Sequence, residues 1–126
     1  VLDILGDKWT FLIIRDMLFK GCCRYKQFIE SEEGVATNIL ADRLKKLTKH
    51  GLITQCKDPD NGRQKLYHLT DKGIDLTPTI LHMIKWSGQY DKETYLSDDI
   101  MHHLENNFEK SIEYVKANYK ASCHAN

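Results

Sequence analysis

The sequence lacks the features that mark membrane-spanning and secreted proteins. No apolar run approaches the roughly 18 residues that a transmembrane helix needs, so we expect no membrane partner. The first residues, VLDILGDKW, carry neither a basic segment nor a cleavage site, so we expect no signal peptide. No initiator Met precedes Val1, and we expect that an N-terminal piece has been removed.

Cysteines and catalytic motifs are also scarce. The four cysteines are Cys22, Cys23, Cys56 and Cys123. They form no CxxC pair and no disulfide framework, which favours a reducing cytoplasm. The sequence has no nucleophile elbow, no phosphate-binding glycine loop and no HExxH motif, so we predict neither an enzyme nor a cofactor. His102 and His103 are adjacent and point to different sides of a helix, so we predict no metal site.

An excess of charge of either sign is missing as well, because the formal net charge is zero. The distribution is uneven, however. Residues 8–72 contain 13 Lys and Arg against 8 Asp and Glu, whereas residues 73–126 contain 5 against 8. A basic centre with acidic flanks allows a local anion-binding face. With 126 residues, 41% of them hydrophobic, the chain is long enough to fold as one domain around a core.

The most informative segment is Gly34–Ile53, with the sequence GVATNILADRLKKLTKHGLI. It predicts a helix that Thr37 caps and that ends at Gly51, where a left-handed residue is needed. Its apolar stripe consists of Leu40, Leu44 and Leu47. The opposite face is polar and mostly basic, which suits a helix in a DNA major groove. By itself this face also fits an ordinary solvated surface helix.

The flanking segments favour the DNA-binding interpretation. Residues 8–19 predict a largely buried helix that ends at Gly21, and residues 25–31 predict a short helix before the turn at 32–34. A short helix, a turn and a basic helix match a helix-turn-helix. Residues 52–57 and 63–69 predict two strands joined by the turn DPDNG, which is a β-hairpin and a candidate wing. A plain structural hairpin is the alternative.

The C-terminal part is predicted to be helical. Thr70 is expected to cap a helix that kinks or restarts near Pro78 and reaches a break at residues 88–96. One long amphipathic helix is expected from Ser97 onward. We also expect Trp9, Trp86 and Cys56 to be buried. The predicted fold is mainly α with a small β-hairpin wing (α+β), a winged helix-turn-helix with an extra C-terminal helix. Residues 1–88 are predicted to form the winged helix-turn-helix DNA-binding domain with dimerisation helices. Residues 89–126 are predicted to form a helical extension that supports the dimer.

Several segments resemble the HxlR-type branch of bacterial winged-helix transcription regulators, relatives of the MarR group. The matching segments are LGDKW at 5–9, IIRDML at 13–18, RYKQF at 24–28, the block at 34–53, YHLTDKG at 67–73 and the region of Trp86. The resemblance covers residues 1–88. It implies a homodimeric regulator that binds double-stranded DNA and responds to an unknown small-molecule or oxidant effector. Some members sense oxidants through a cysteine before the first helix, a point that precedes Val1.

The candidate site residues form three sets. The predicted base-reading residues are Thr37, Asn38, Ala41, Asp42 and Lys45. The candidates for phosphate or minor-groove contact are Arg24, Tyr25, Lys26, Arg43, Lys46, Lys49, Arg63 and Lys65. The candidate redox thiols are Cys22 and Cys23, with unreactive thiols as the alternative. An amide at position 38 suits adenine and a methyl group at position 41 suits a thymine methyl. Asp42 could accept a hydrogen bond from a cytosine amino group, but the favoured expectation is that it pairs with Lys45 or Lys46. Arg43 is expected to reach a phosphate or an acidic neighbour.

Two other functions remain open from the sequence. One is a protein-interaction module that keeps the winged-helix scaffold without binding DNA, which the zero net charge and Asp42 allow. The other is a thiol or ligand sensor. Salt-dependent retention of DNA separates the first from a regulator, and oxidation of Cys22 or Cys23 by mild peroxide separates the second.

Overall fold

The computed structural model describes residues 2–21, 24–30, 34–60, 62–91 and 98–125. The elements are α1 (Leu2–Leu5), α2 (Lys8–Lys20), α3 (Tyr25–Ile29), α4 (Thr37–Lys49), β1 (Ile53–Lys57), β2 (Lys65–Leu69), α5 (Asp71–Ile74), α6 (Thr77–Tyr90), α7 (Asp98–Asn106) and α8 (Phe108–Ala125). The two strands form one antiparallel hairpin among helices. The predicted winged helix-turn-helix architecture, mainly α with a small wing, is therefore confirmed.

Helix α2 runs through the centre of the core. Asp7 caps its start, because its carboxylate accepts hydrogen bonds from the Thr10 backbone N–H and hydroxyl at 3.0 and 3.1 Å. Gly21 ends the helix in the left-handed conformation that the sequence predicts, with φ of 66°. Ile14 and Met17 are fully buried, so this helix is the support on which the helix-turn-helix rests.

Helices α3 and α4 form the helix-turn-helix. The side chains of the leucine stripe, Leu40, Leu44 and Leu47, are only 0–2% exposed, which confirms their predicted role in the core. The prediction of Thr37 as N-cap is wrong: Ala36 holds that position in an extended conformation, and Thr37 is the first helical residue. The predicted short helix ends at Ile29, and residues 31–33 lie outside the described part of the chain.

Gly51 terminates α4 through two backbone hydrogen bonds. It has φ of 76°, its N–H donates to Thr48, and the Leu52 N–H donates to Leu47 over 3.0 Å. These bonds satisfy carbonyls that the last helical turn leaves without partners. The chain then turns directly into β1, so the end of α4 also sets the root of the wing.

The wing pairs β1 with β2 in a register that runs from Ile53 opposite Leu69 to Lys57 opposite Lys65. Only Ile53 of β1 is buried, because the strand leaves the core after that residue. The predicted burial of Cys56 is therefore wrong, and its side chain is exposed. In β2, which begins at Lys65 rather than at Arg63, both Leu66 and Tyr67 are buried.

The helices after the wing differ from the prediction in two places. Thr70 caps α5 as predicted, and α6 restarts with Pro78 in its first turn, where a missing N–H costs nothing. The predicted break at residues 88–96 is wrong at its start, because α6 continues through Gly88 to Tyr90, while residues 92–97 lie outside the described part. The single helix expected from Ser97 is two helices that meet at Asn107.

Helix α8 folds back onto the preceding domain. Tyr119 is 5% exposed and belongs to the same hydrophobic cluster as the leucines of α4, and Val115 packs against that cluster. Lys116 lies 3.3 Å from the carboxylate of Asp75, at the end of α5. The C-terminal residues thus contribute to one shared core. Among the helices of the described chain, none is both long and apolar enough to cross a membrane.

Candidate nucleic-acid interface

The five predicted base-reading residues lie together on one face of α4. Thr37, Asn38, Ala41, Asp42 and Lys45 are all exposed, whereas the leucine stripe faces the core. Their spacing of one, three or four positions keeps them on adjoining turns of the helix. We call these five residues the outer face of α4. It presents an amide, a hydroxyl, a methyl group, an ammonium group and a carboxylate to solvent.

A bidentate ion pair holds the middle of α4 to the start of α2. Nε of Arg43 donates to Oδ2 of Asp7 over 2.8 Å, and Nη2 donates to Oδ1 over 3.3 Å. Arg43 also contacts the carboxylate of Asp42. The expected pairing of Asp42 with Lys45 or Lys46 is therefore wrong. Of the two partners expected for Arg43, the structure shows the acidic neighbour, and sequence reasoning missed Asp7 because 36 residues separate the pair.

The ion pair shifts the pKa of both side chains. The hydrogen bond from Arg43 lowers the pKa of Asp7 from its ordinary 3.8 to about 2, and the bonds from Thr10 act in the same direction. The same pair, with Asp42, raises the pKa of Arg43. The contribution of Asp7 to stability is thus complete above about pH 4 and is lost as the pH falls towards 2.

We expect Asp7→Asn to lower the free energy of unfolding by about 1 kcal/mol at pH 7. Asn is also a good N-cap, so the change leaves the cap of α2 and removes the charge that Arg43 binds. The difference from the unchanged chain should shrink between pH 4 and pH 2 in urea unfolding curves. Asp60→Asn is the control, because Asp60 is exposed in the hairpin turn, away from Arg43. A difference that stays constant through this pH range would contradict the assignment.

Both ends of α4 are also held by side chains from neighbouring elements. The Tyr25 hydroxyl donates to the Thr37 carbonyl over 2.8 Å. At the other end, Nζ of Lys72 donates to the His50 carbonyl over 2.8 Å, beside the negative end of the helix dipole. Tyr25, a predicted phosphate candidate, therefore positions the start of α4. The sequence reasoning missed Lys72.

Arg24 joins the helix-turn-helix to the wing. Its Nε donates to Oδ2 of Asp58 over 2.9 Å, and Asp58 is only 3% exposed. Its backbone forms an isolated bridge to Leu66 of β2. A half-buried arginine on a buried carboxylate stabilises the turn end of the wing. Nearby, Lys26 is exposed and lies 3.8 Å from Glu30.

The wing carries an exposed basic group. Arg63 lies in the turn between the strands, and Lys65 begins β2. Lys57 lies directly opposite Lys65 in the register, and both side chains are exposed. Like charges in such a cross-strand pair repel each other, and an anion between them would relieve that repulsion. Lys57 is a candidate that the sequence reasoning missed. On α4, Lys49 is exposed and Lys46 is half-buried.

The candidate thiols divide between described and undescribed parts of the chain. Cys22 and Cys23 lie outside the described residues, whereas Cys56 is a free, exposed thiol on β1. Within the described ranges, no three His, Cys, Asp or Glu side chains are grouped closely enough to hold a metal ion.

Helix α6 presents an apolar face to solvent. Met83, Trp86 and Tyr90 are 51%, 64% and 73% exposed, and the rings of Trp86 and Tyr90 lie 5.7 Å apart. A groove of about 780 Å³ beside them is lined by residues of α2 and α6, including Phe11. The predicted burial of Trp86 is wrong, whereas Trp9 does pack against the core. Contiguous exposed apolar residues mark surfaces that contact another molecule.

Comparison of the sequence with protein families gives a match to helix-turn-helix regulators. The profile of the HxlR-like helix-turn-helix family matches residues 4–95. The uncharacterised HTH-type transcriptional regulator sll1512 of Synechocystis is 35% identical over 90 residues, 71% of this chain and 66% of that protein. YodB, an HTH-type transcriptional regulator of Bacillus subtilis, is 31% identical over 88 residues, 70% of this chain and 78% of YodB. The chain thus spans just under two thirds of sll1512.

Solved structures resemble this chain over different lengths. The crystal structure of PA1607, a proposed transcription factor, has a TM-score of 0.67 at 38% identity and covers 76% of this chain and 66% of its own. Quinone-bound YodB has a TM-score of 0.56 at 27% identity and covers 71% and 91%. A SlyA-like transcription regulator from Listeria monocytogenes has a TM-score of 0.63 at 18% identity and covers 99% and 83%. Its likeness, in fold alone, extends through α7 and α8.

Proposed function

Since this chain belongs to the HxlR-like helix-turn-helix family, we propose that it binds double-stranded DNA sequence-specifically as a homodimer in the cytoplasm. The relatives compared above are transcriptional regulators and not enzymes. The outer face of α4 would lie in the major groove, and the wing would contact the adjacent backbone or minor groove. The observation that carries the proposal is the outer face itself, exposed on a helix that is held at its start, middle and end.

Each residue of the outer face suits a different part of the groove. Asn38 presents an amide that would bond adenine through two hydrogen bonds, and Ala41 would contact a thymine methyl. Both lie in the first half of α4, the end that enters the groove in helix-turn-helix proteins. Lys45 would reach a base edge one turn later. Asp42, already bonded to Arg43, would contribute shape rather than charge.

The basic residues around the outer face would bind phosphates. Those on the helices are Lys26, Lys46 and Lys49, and those on the wing are Lys57, Arg63 and Lys65. Phosphate contacts hold the register on the duplex, whereas base contacts carry the sequence information. Arg24 and Arg43 would act indirectly in this arrangement, because both are bonded to carboxylates.

Selection of bound DNA from a random pool tests the proposal and identifies the operator. The full chain should enrich one sequence, and its affinity should fall steeply with salt as released counterions accumulate. A palindromic sequence with half-sites about one helical turn apart would fit a dimer. Failure to retain any DNA would favour a protein-interaction module on the same scaffold.

We expect Arg63→Ala to weaken binding to all DNA sequences to a similar extent. The lost contact is to the backbone or the minor groove, so it carries little sequence information. The slope of log affinity against log salt should become shallower by about 1.8, the value for two phosphate contacts, one from each protomer of the dimer. Titration of the selected sequence and a scrambled duplex at several salt concentrations measures both quantities. A loss confined to the selected sequence would show that Arg63 reads bases.

The apolar face of α6 supports the homodimer part of the proposal. Met83, Trp86 and Tyr90 recur at intervals of three and four residues, so they form one stripe along the helix. The groove between α2 and α6 continues that stripe and provides a recess for side chains of a second copy. A symmetric pairing of two such faces would give a two-fold dimer with one outer face of α4 in each protomer.

The second part of the proposal is that this chain responds to an oxidant or small-molecule effector, and a relative supports it. YodB has been crystallised with bound quinone, and this chain has an exposed thiol at Cys56. Mass spectrometry of the full chain after mild peroxide or quinone treatment tests it. If Cys22, Cys23, Cys56 and Cys123 all stay unmodified, none of these four thiols is a sensor, and modification without release of DNA would exclude a regulatory effect.

A further inference from the structure

The outer edge of β2 is covered by a residue from the C-terminal helix. Leu69 ends β2 and lies opposite Ile53, and alternate N–H groups of an antiparallel strand point away from the partner strand. The Leu69 N–H donates to the Tyr119 hydroxyl over 2.7 Å, across 50 residues of sequence. Both residues are buried, so water is not available as a substitute partner.

We propose that Tyr119 is a positioning residue for the wing, which it holds through its hydrogen bond to Leu69. This role rests on the DNA-binding function proposed above, and Tyr119 itself would not touch DNA. It would place the C-terminal residues 98–125, which lie beyond the matched family region, in the mechanism of DNA binding.

Two contacts on the same edge of β2 explain why the wing responds to Tyr119. Near the tip, Arg24 bridges to Leu66 and bonds to the buried Asp58. At the root, Tyr119 bonds to Leu69. A strand that is fixed at both ends keeps a constant direction, and Arg63 lies in the turn that precedes it. Loss of the root contact leaves the pairing with β1 and the contacts of Arg24 in place but lets the root of β2 shift, so the wing changes its angle relative to α4.

Helix α8 is itself fixed in position, so its contact with β2 holds the strand in place. Val115 and Tyr119 are one helical turn apart and pack against the shared core. Lys116, between them, lies 3.3 Å from Asp75 at the end of α5. These contacts fix the position of α8 along its axis and its rotation about that axis. They thereby fix the position of the Tyr119 hydroxyl.

Tyr119→Phe in the full chain tests the proposal by removing one oxygen atom. Amide exchange at Leu69 should become about 10- to 100-fold faster, since a buried N–H loses its acceptor. DNA affinity should fall about 3- to 10-fold, which lies in the lower part of the range for interacting residues. In an Arg63→Ala background the same change should weaken affinity less, because one of the wing contacts is already lost. Tyr114→Phe is the matched control, on the same helix and 68% exposed, and should change neither quantity.

Three results would overturn the proposal. Unchanged exchange at Leu69 would show that the hydrogen bond does not hold the strand. Faster exchange with unchanged affinity would show that the bond does not position the wing. An equal loss of affinity with and without Arg63 would indicate general destabilisation. A wild-type chain that retains no DNA would refute the proposed function and the role of Tyr119 in binding, while the exchange rates would still decide whether Tyr119 holds the strand.

Discussion

Replacement of both Asn38 and Lys45 by Ala should abolish sequence-specific binding while leaving the fold intact. The two side chains are exposed on the outer face of α4, and the leucine stripe beneath them is untouched. Each lost base contact costs about 1–3 kcal/mol of discrimination, so affinity for the selected operator should fall by about 100-fold or more. Affinity for scrambled DNA should fall less than about tenfold, because only one positive charge is removed from each protomer.

The matched control for this double change is Asn118→Ala with Lys120→Ala. It removes the same two residue types from exposed positions of α8. The control should bind the operator like the unchanged chain. Titration by fluorescence anisotropy with operator and scrambled duplexes measures the ratio of affinities, and thermal unfolding checks the fold. A specific complex that survives the double change would show that another surface reads the DNA.

Trp86→Glu should convert the proposed dimer into a folded monomer. The indole is 64% exposed in the single chain, so its replacement should change the free energy of unfolding of the monomer by no more than about 0.5 kcal/mol. At a dimer interface the same indole would be a dominant contact, and its loss would cost about 2 kcal/mol or more of binding free energy. Burial of the new glutamate charge would add a further cost. The dissociation constant of the dimer should rise by about 100-fold or more.

Sedimentation velocity over a range of concentrations measures the change in assembly. Trp86→Phe is the conservative control, because it keeps an aromatic ring in the stripe with Met83 and Tyr90, and it should retain most of the dimer. The Glu variant should also bind a palindromic operator more weakly, since two half-sites then bind two separate chains. An unchanged dimer would place the interface elsewhere on the molecule.

Local sequence patterns predicted most of the fold because their causes are local. The three leucines at helical spacing are buried, and Gly51 has the left-handed conformation that ends α4. Thr70 caps its helix, and β1 and β2 pair on either side of the predicted turn DPDNG. In each case the interacting groups lie within a few residues of one another, so spacing and residue type are sufficient.

The errors concern burial and helix boundaries. Trp86 and Cys56 are apolar or weakly polar residues that sequence reasoning placed inside, and both are exposed. Whether a side chain is buried depends on which element packs over it, which its neighbours in sequence do not specify. Gly88 did not end α6, since a single glycine costs a helix only about 1 kcal/mol, which the rest of α6 can offset.

The candidate site likewise has a part that the sequence predicts and a part that it does not. The residues of the outer face of α4 are predictable, because helical periodicity places them opposite the leucines. The contacts that hold this face and the wing in place join Asp7 to Arg43, Arg24 to Asp58 and Leu69 to Tyr119, across 36, 34 and 50 residues.

The sequence by itself therefore determined the helix-turn-helix, the wing and the identity of the outer face, since short-range spacing and turn chemistry decide these features. Only the tertiary structure decided which carboxylate holds Arg43, which tyrosine covers the edge of β2 and which apolar face of α6 stays exposed. The physical reason is that hydrogen bonds and ion pairs require atoms within about 3 Å of each other. Packing of distant segments, not their order along the chain, sets those distances.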